Sequence, residues 1–169
     1  MGVLDQAGRA HIGEIDWAQL SPEERAQARK AMAAAIEPVD QANMAELRKL
    51  LPKQGWFSRR EYGDKATDAA FHILQHSDDI ALKKRLLPHI QAAALAGEID
   101  GTDFAAMFDR VATSDGRPQR YGTQFRCVDG KIEAYPLEDP AAVERLRVDL
   151  RLRQTFAESL QMHRGRPCA

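Results

Sequence analysis

Tyr121-Gly122-Thr123-Gln124-Phe125-Arg126-Cys127-Val128-Asp129-Gly130-Lys131-Ile132-Glu133-Ala134-Tyr135 decides how this chain folds, because one sequence texture gives way to another there. Tyr121 to Val128 and Lys131 to Tyr135 flank Asp129-Gly130. Asp-Gly between two such runs is the signature of a two-residue hairpin turn, whose central residues need positive φ. The segments before it carry helical punctuation instead. The chain therefore reads as mainly α: one helical-bundle domain over residues 1–162, a small antiparallel β-hairpin at about 121–135, and a tail at 163–169.

Working back from the hairpin, a helix is expected over Asp103 to Thr113, with Phe104, Ala105, Met107, Phe108 and Val111 as its apolar positions. Ile80 to Ala96 forms the helix before it, ended by Gly97, and Ser77-Asp78-Asp79 separates it from a helix capped by Asp64. Ser21-Pro22-Glu23-Glu24 combines an N-cap, a Pro at the first helical position and a capping-box Glu. That helix should run to about Ile36, be bent or interrupted at Pro38, and resume from Val39 to about Leu51 with Val39, Ala42, Leu47 and Leu50 at near-helical spacing. After the hairpin, Asp139-Pro140 should open a last helix reaching about Met162. Its arginines (Arg145, Arg147, Arg151, Arg153) are interleaved with Glu144, Asp149 and Glu158 and read as a solvated face.

The bulk numbers exclude several classes. The 169 residues suffice for a core without disulfides or metals. With 24 Lys and Arg against 25 Asp and Glu, the net charge of -1 gives no general attraction to nucleic acid or to an anionic membrane. No apolar run approaches the roughly 20 residues that span a bilayer. Met1-Gly2-Val3-Leu4-Asp5-Gln6 lacks the basic and apolar parts of a secretory leader, so the cytoplasm is the expected compartment. Cys127 and Cys168 then read as free thiols. There is no Gly-rich phosphate loop, no Ser nucleophile elbow and no Cys pair at zinc spacing.

Candidate chemistry lies in the polar turns. Asp68, His72 and His76 recur every four residues, a spacing that can hold a divalent metal. Lys65 lies on the same side as His72 and Asp68, and His76 falls at the border of the apolar arc, so no metal is assigned. His76 ends its helix, where the negative end of the dipole favours imidazolium, with Gln75 before it and Ser77-Asp78 after. It is either a proton-transfer group or a core-edge His satisfied by a carbonyl. Arg110 of Asp109-Arg110 either points into solvent or turns inward to clamp an anion through its planar fork. Tyr121, Thr123 and Gln124 supply donors and acceptors around Gly122, where the backbone can come close to a neighbour.

These motifs resemble, in order and over nearly the whole chain, the bacterial family of unknown function numbered 6624. Its pattern of Asp-Gln, Asp-x-x-Asn, Gly-Trp-Pro, Gln-His-x-Asp, Asp-Arg and Tyr-Gly-Thr-Gln-Phe is matched by Asp5-Gln6, Asp40-Gln41-Ala42-Asn43, Gly55-Trp56-Phe57, Gln75-His76-Ser77-Asp78, Asp109-Arg110 and Tyr121-Gly122-Thr123-Gln124-Phe125. Phe57 replaces the expected Pro, and His72 stands where an apolar or aromatic residue belongs. The resemblance implies a predominantly helical fold. It gathers Asp5, Asp40, Asn43, His76, Arg110, Tyr121 and Gln124 into one pocket, and it implies no reaction.

The expectation is a small metal- and cofactor-independent enzyme acting on a polar anionic small molecule as a hydrolase, lyase or isomerase. His76 is the acid or base, with Asp40 or Asp5 as its partner. Arg110 is the anion clamp, and Tyr121, Gln124, Asn43, Gln75 and Thr123 bind and orient the substrate. The rival is a non-catalytic ligand-binding or interaction module whose polar cluster is a buried hydrogen-bond network.

Overall fold

The capping box at Ser21 forms as its sequence dictates. Glu24 N donates to Ser21 Oγ at 3.3 Å, and Ser21 N donates to Glu24 Oε2 at 2.8 Å. From this cap α1 runs without a break over Pro22–Leu50. Pro38 was expected to interrupt it, yet lies within it on an exposed turn. Proline frees the carbonyl one turn earlier, and on that face water can take over the lost bond. The buried stripe is Asn43, Met44 and Leu47, while Leu50 is half exposed, so the apolar face is rotated from the one read in the sequence.

The computed structural model describes Gly2, residues 15–17 and residues 19–163. Asp5 lies outside the described residues. The chain divides into two compact units, Met1–Asp79 and Ile80–Ala169.

In the first unit α1 packs on α3 (Asp64–His76), and a short α2 (Arg59–Tyr62) leads into α3. Asp64 was expected to cap α3. The cap position is instead Gly63 at φ 78, which supplies no side-chain bond, and Asp64 sits in the first turn, where its charge opposes the helix dipole favourably. Thr67, Ala70, Phe71, Ile73 and Leu74 form the buried face of α3. Phe57, which replaces the expected Pro, is itself core. It meets Trp56 and Tyr62 edge-on at 5.5 and 5.1 Å between ring centroids.

In the second unit α4 (Ile80–Leu95) packs on α5 (Gly101–Ser114), whose N-cap is Asp100, with Thr102 N donating to its Oδ1 at 2.8 Å. Strands β1 (Phe125–Val128) and β2 (Lys131–Ala134) pair antiparallel, with Phe125 opposite Ala134 and Val128 opposite Lys131. Asp129 and Gly130 both take positive φ, 50° and 73°, as the turn requires. The expected final helix is two: α6 (Val143–Asp149) and α7 (Phe156–His163). The break occurs because the chain folds back around Arg147, whose guanidinium takes the Gln154 carbonyl at 3.0 and 2.7 Å, with Arg151 in the left-handed region at φ 56. Among the described residues these seven helices and the two-stranded sheet make a mainly α protein, and no helix is long and apolar enough to cross a membrane.

Cys127 corrects the free-thiol expectation: it is disulfide-bonded, and its exposed position on β1 leaves it accessible for pairing. Cys168 lies outside the described residues.

Candidate functional site

α3 ends where the sequence placed His76. Ser77 closes the helix by donating its hydroxyl to Leu74 O at 2.8 Å, and this fixes the turn that carries His76, Asp78 and Asp79. Beside that turn, a cavity of about 550 Å³ is lined by His76, Asp40 and Gln41 among its polar residues, with Ala33, Ile36 and Met44 supplying apolar wall. Asp40, Gln41 and Met44 come from α1 at the spacing of one helix face. Two sequence-nominated proton-transfer candidates, His76 and Asp40, therefore border the same space. Both are half-buried.

Among the described residues its lining also holds Glu37, Asp78, Asp79 and Arg48, whose guanidinium pairs with Asp79 at 2.7 Å. Asn43, also nominated for binding, is buried in the same unit, and its amide Nδ2 has no hydrogen-bond partner among the described residues. Gln75 is half-buried next to His76. His72 stacks on His76 at 6.1 Å and 17°, while Asp68 is engaged by Arg59 Nη2 at 2.8 Å. Among the described residues no three His, Cys, Asp or Glu side chains gather in a group that could hold a metal.

In the second unit the nominated residues form a different construction, centred on Asp109. Arg120 N donates to its Oδ1 at 2.8 Å, Tyr121 N at 3.1 Å, Thr123 N to its Oδ2 at 3.0 Å, and the Thr123 hydroxyl to Oδ2 at 2.9 Å. Asp109 is fully buried, and burial holds its carboxyl above the usual carboxylate range even against these four donors. This is why Tyr121 to Gln124, expected as strand, are not: the N–H groups of Tyr121 and Thr123 are spent on a carboxylate, and that of Gln124 on the Gln119 side chain, rather than on a ladder. Gln119, also fully buried, clamps the base of the hairpin. Its Nε2 donates to Gln124 O and Tyr135 O at 3.1 and 2.9 Å, and its Oε1 accepts from Gln124 N at 2.8 Å. Gln124 Nε2 donates to Ala106 O at 3.3 Å. Tyr121 buries its ring against Phe104 and Phe108. Arg110 is exposed, and its neighbour Asp109 is the inward member of the pair.

A family model for a family of unknown function, DUF6624, matches residues 1–162. The chain belongs to that family. No curated protein and no solved structure matches it.

The DUF6624 motifs thus divide between two settings. Asp-x-x-Asn and Gln-His-x-Asp lie in the first unit, where Asp40 and His76 share a cavity. Asp-Arg and Tyr-Gly-Thr-Gln lie in the second, where Asp109, Tyr121, Thr123 and Gln124 share a hydrogen-bond network. Sequence reading missed three residues that matter here: Asp109 as a hub, Gln119 as a clamp, and Arg147, which is buried rather than solvated. Asp109 was findable, since it falls among Phe104, Ala105, Met107 and Val111 on the apolar side of α5. Arg147 gave no such signal, because its burial depends on where α6 ends.

Proposed function

We propose that this protein binds a small polar molecule in the cavity beside His76 and performs proton-transfer chemistry on it, with His76 as acid or base and Asp40 as its partner. The observation that carries this reading is that these two side chains, on separate helices, line one cavity. Its size suits a small metabolite. Neutral imidazole and a carboxylate are the usual pair for moving a proton near neutral pH. Hydrolysis, elimination and isomerisation all fit such a pair.

The test is a thermal-shift screen of cationic, neutral and anionic metabolites against the intact protein, His76→Ala and Asp40→Asn. A compound that raises the melting temperature of the wild type, and does so less in both variants whose unliganded melting temperatures are unchanged, supports the assignment. Ligands that stabilise all three proteins equally remove His76 and Asp40 from the site.

The rival, a non-catalytic network, is favoured by one observation in the second unit. Tyr121, Thr123 and Gln124 bond to protein groups of α5 and the hairpin base, which suits scaffolding better than substrate binding. The proposed enzyme therefore uses that network as support for its fold and not as a substrate contact.

A further inference from the structure

The second unit holds another cavity, of about 480 Å³, between α5, the hairpin and the α6–α7 segment. One group facing it needs explanation. Arg147 is only 4% exposed, and every one of its partners is a neutral oxygen: Tyr121 O at 2.6 Å, Gln154 O at 3.0 and 2.7 Å, Thr155 O at 3.4 Å and Ser159 Oγ at 2.9 Å. Among the described residues it enters no ion pair. A buried charge without a counter-charge is expensive, and carbonyl dipoles offset only part of that cost. Of the two N–H groups on Nη1, one goes to Tyr121 and the other has no acceptor among the described residues. Burial holds the guanidinium below its ordinary value, which the nearby but unbonded Glu144, Asp109 and Glu158 only partly offset.

The remaining lining narrows the ligand. Arg153 adds a positive charge, paired with Asp100 at 3.4 Å, whereas Asp103 opposes any group of high negative charge. Ala106, Phe125, Leu152 and Met162 provide an apolar wall. We propose that this cavity binds a small organic monocarboxylate, its carboxylate on Arg147 and its apolar body against Ala106 and Phe125. One carboxylate oxygen can accept the remaining Nη1 N–H in a charge-assisted bond, and the acidic residues select against a phosphate dianion. The site is independent of the His76 reading and involves none of its residues.

Benzoate titrated into the intact protein and followed by calorimetry is expected to bind one-to-one, and inorganic phosphate at least about tenfold more weakly, equivalent to about 1.4 kcal/mol. Ala106→Leu fills the cavity while leaving every hydrogen-bond partner of Arg147 in place. At an unchanged melting temperature it should weaken benzoate at least about tenfold. Benzoate should also shift the Arg147 Nε–Hε resonance, assigned by its loss in Arg147→Lys. Should that variant fail to fold, Ala106→Leu carries the test alone. The proposal is overturned by no saturable binding of benzoate, by equal binding to Ala106→Leu, or by phosphate binding as tightly as benzoate.

Discussion

Asp109 does at the scale of one residue what a strand partner would otherwise do: it satisfies three backbone N–H groups and a hydroxyl in a buried place. Removing an acceptor from a buried donor costs about 1–3 kcal/mol, and water can reach only some of these donors in a variant. Asp109→Ala is expected to destabilise the protein by at least about 3 kcal/mol, a fall in Tm of about 6–12 °C in a chain of this size. The same carboxyl makes stability depend on pH. Its folded pKa is raised, so the native state keeps the proton to higher pH than the unfolded chain. Through the window from the ordinary aspartate value, about 3.9, up to the raised folded value, stability therefore falls as pH rises. Asp109→Asn cannot titrate. The Tm of the wild type minus that of this variant should decrease across that window, and a constant difference would refute the assignment.

Among the elements, the turn into the hairpin and the turn within it make a controlled comparison. Gly122 and Gly130 both have positive φ, 70° and 73°. A Cβ on Gly130 would meet nothing within 4 Å among the described residues, whereas one on Gly122 would run into the ring of Phe156 at the start of α7. The left-handed conformation alone costs an L-residue about 1–2 kcal/mol. Gly130→Ala should cost about that much in a denaturant titration, and Gly122→Ala about 1–3 kcal/mol more because the collision forces overpacking. Equal costs would mean that Phe156 yields freely and that the close approach is unimportant. The hairpin itself was legible in Asp129-Gly130, since that dipeptide favours the turn wherever it stands. The loss of strand character at Tyr121 to Gln124 was not, because it requires knowing that a carboxylate lies within reach.

On the scale of the whole molecule, helix length and helix burial diverge. The described part of α1 before Asn43 has no buried residue, while Asn43, Met44 and Leu47 are all buried. Helices without tertiary packing are marginal in water even when well capped. Amide hydrogen exchange should therefore be fast over Pro22 to about Ala42 and much slower from Asn43 to Leu50, with the strongest protection in α5, whose Phe104, Ala105 and Val111 are fully buried. Uniform protection along α1 would show that its first half is covered. The near-balanced net charge of -1 gives no long-range field to either cavity, so recognition in each falls to its own lining.

The sequence by itself determined the mainly α class, most of the helices and the hairpin turn. Caps, prolines, apolar periodicity and Asp-Gly act over a few residues and need no distant partner. It also singled out His76 at the end of its helix, whereas Asp40 entered only through the resemblance to the family. Tertiary structure alone decided that Asp109 rather than Arg110 turns inward, that Gln119 holds the hairpin base and that Arg147 is buried beneath a broken helix. Each of those outcomes depends on which donors and acceptors arrive from segments 10 or more residues away, as in the contact from Tyr121 N to Asp109 or from Arg147 to Tyr121 O. A buried polar group is tolerated only where such partners meet it, and no local pattern encodes that meeting.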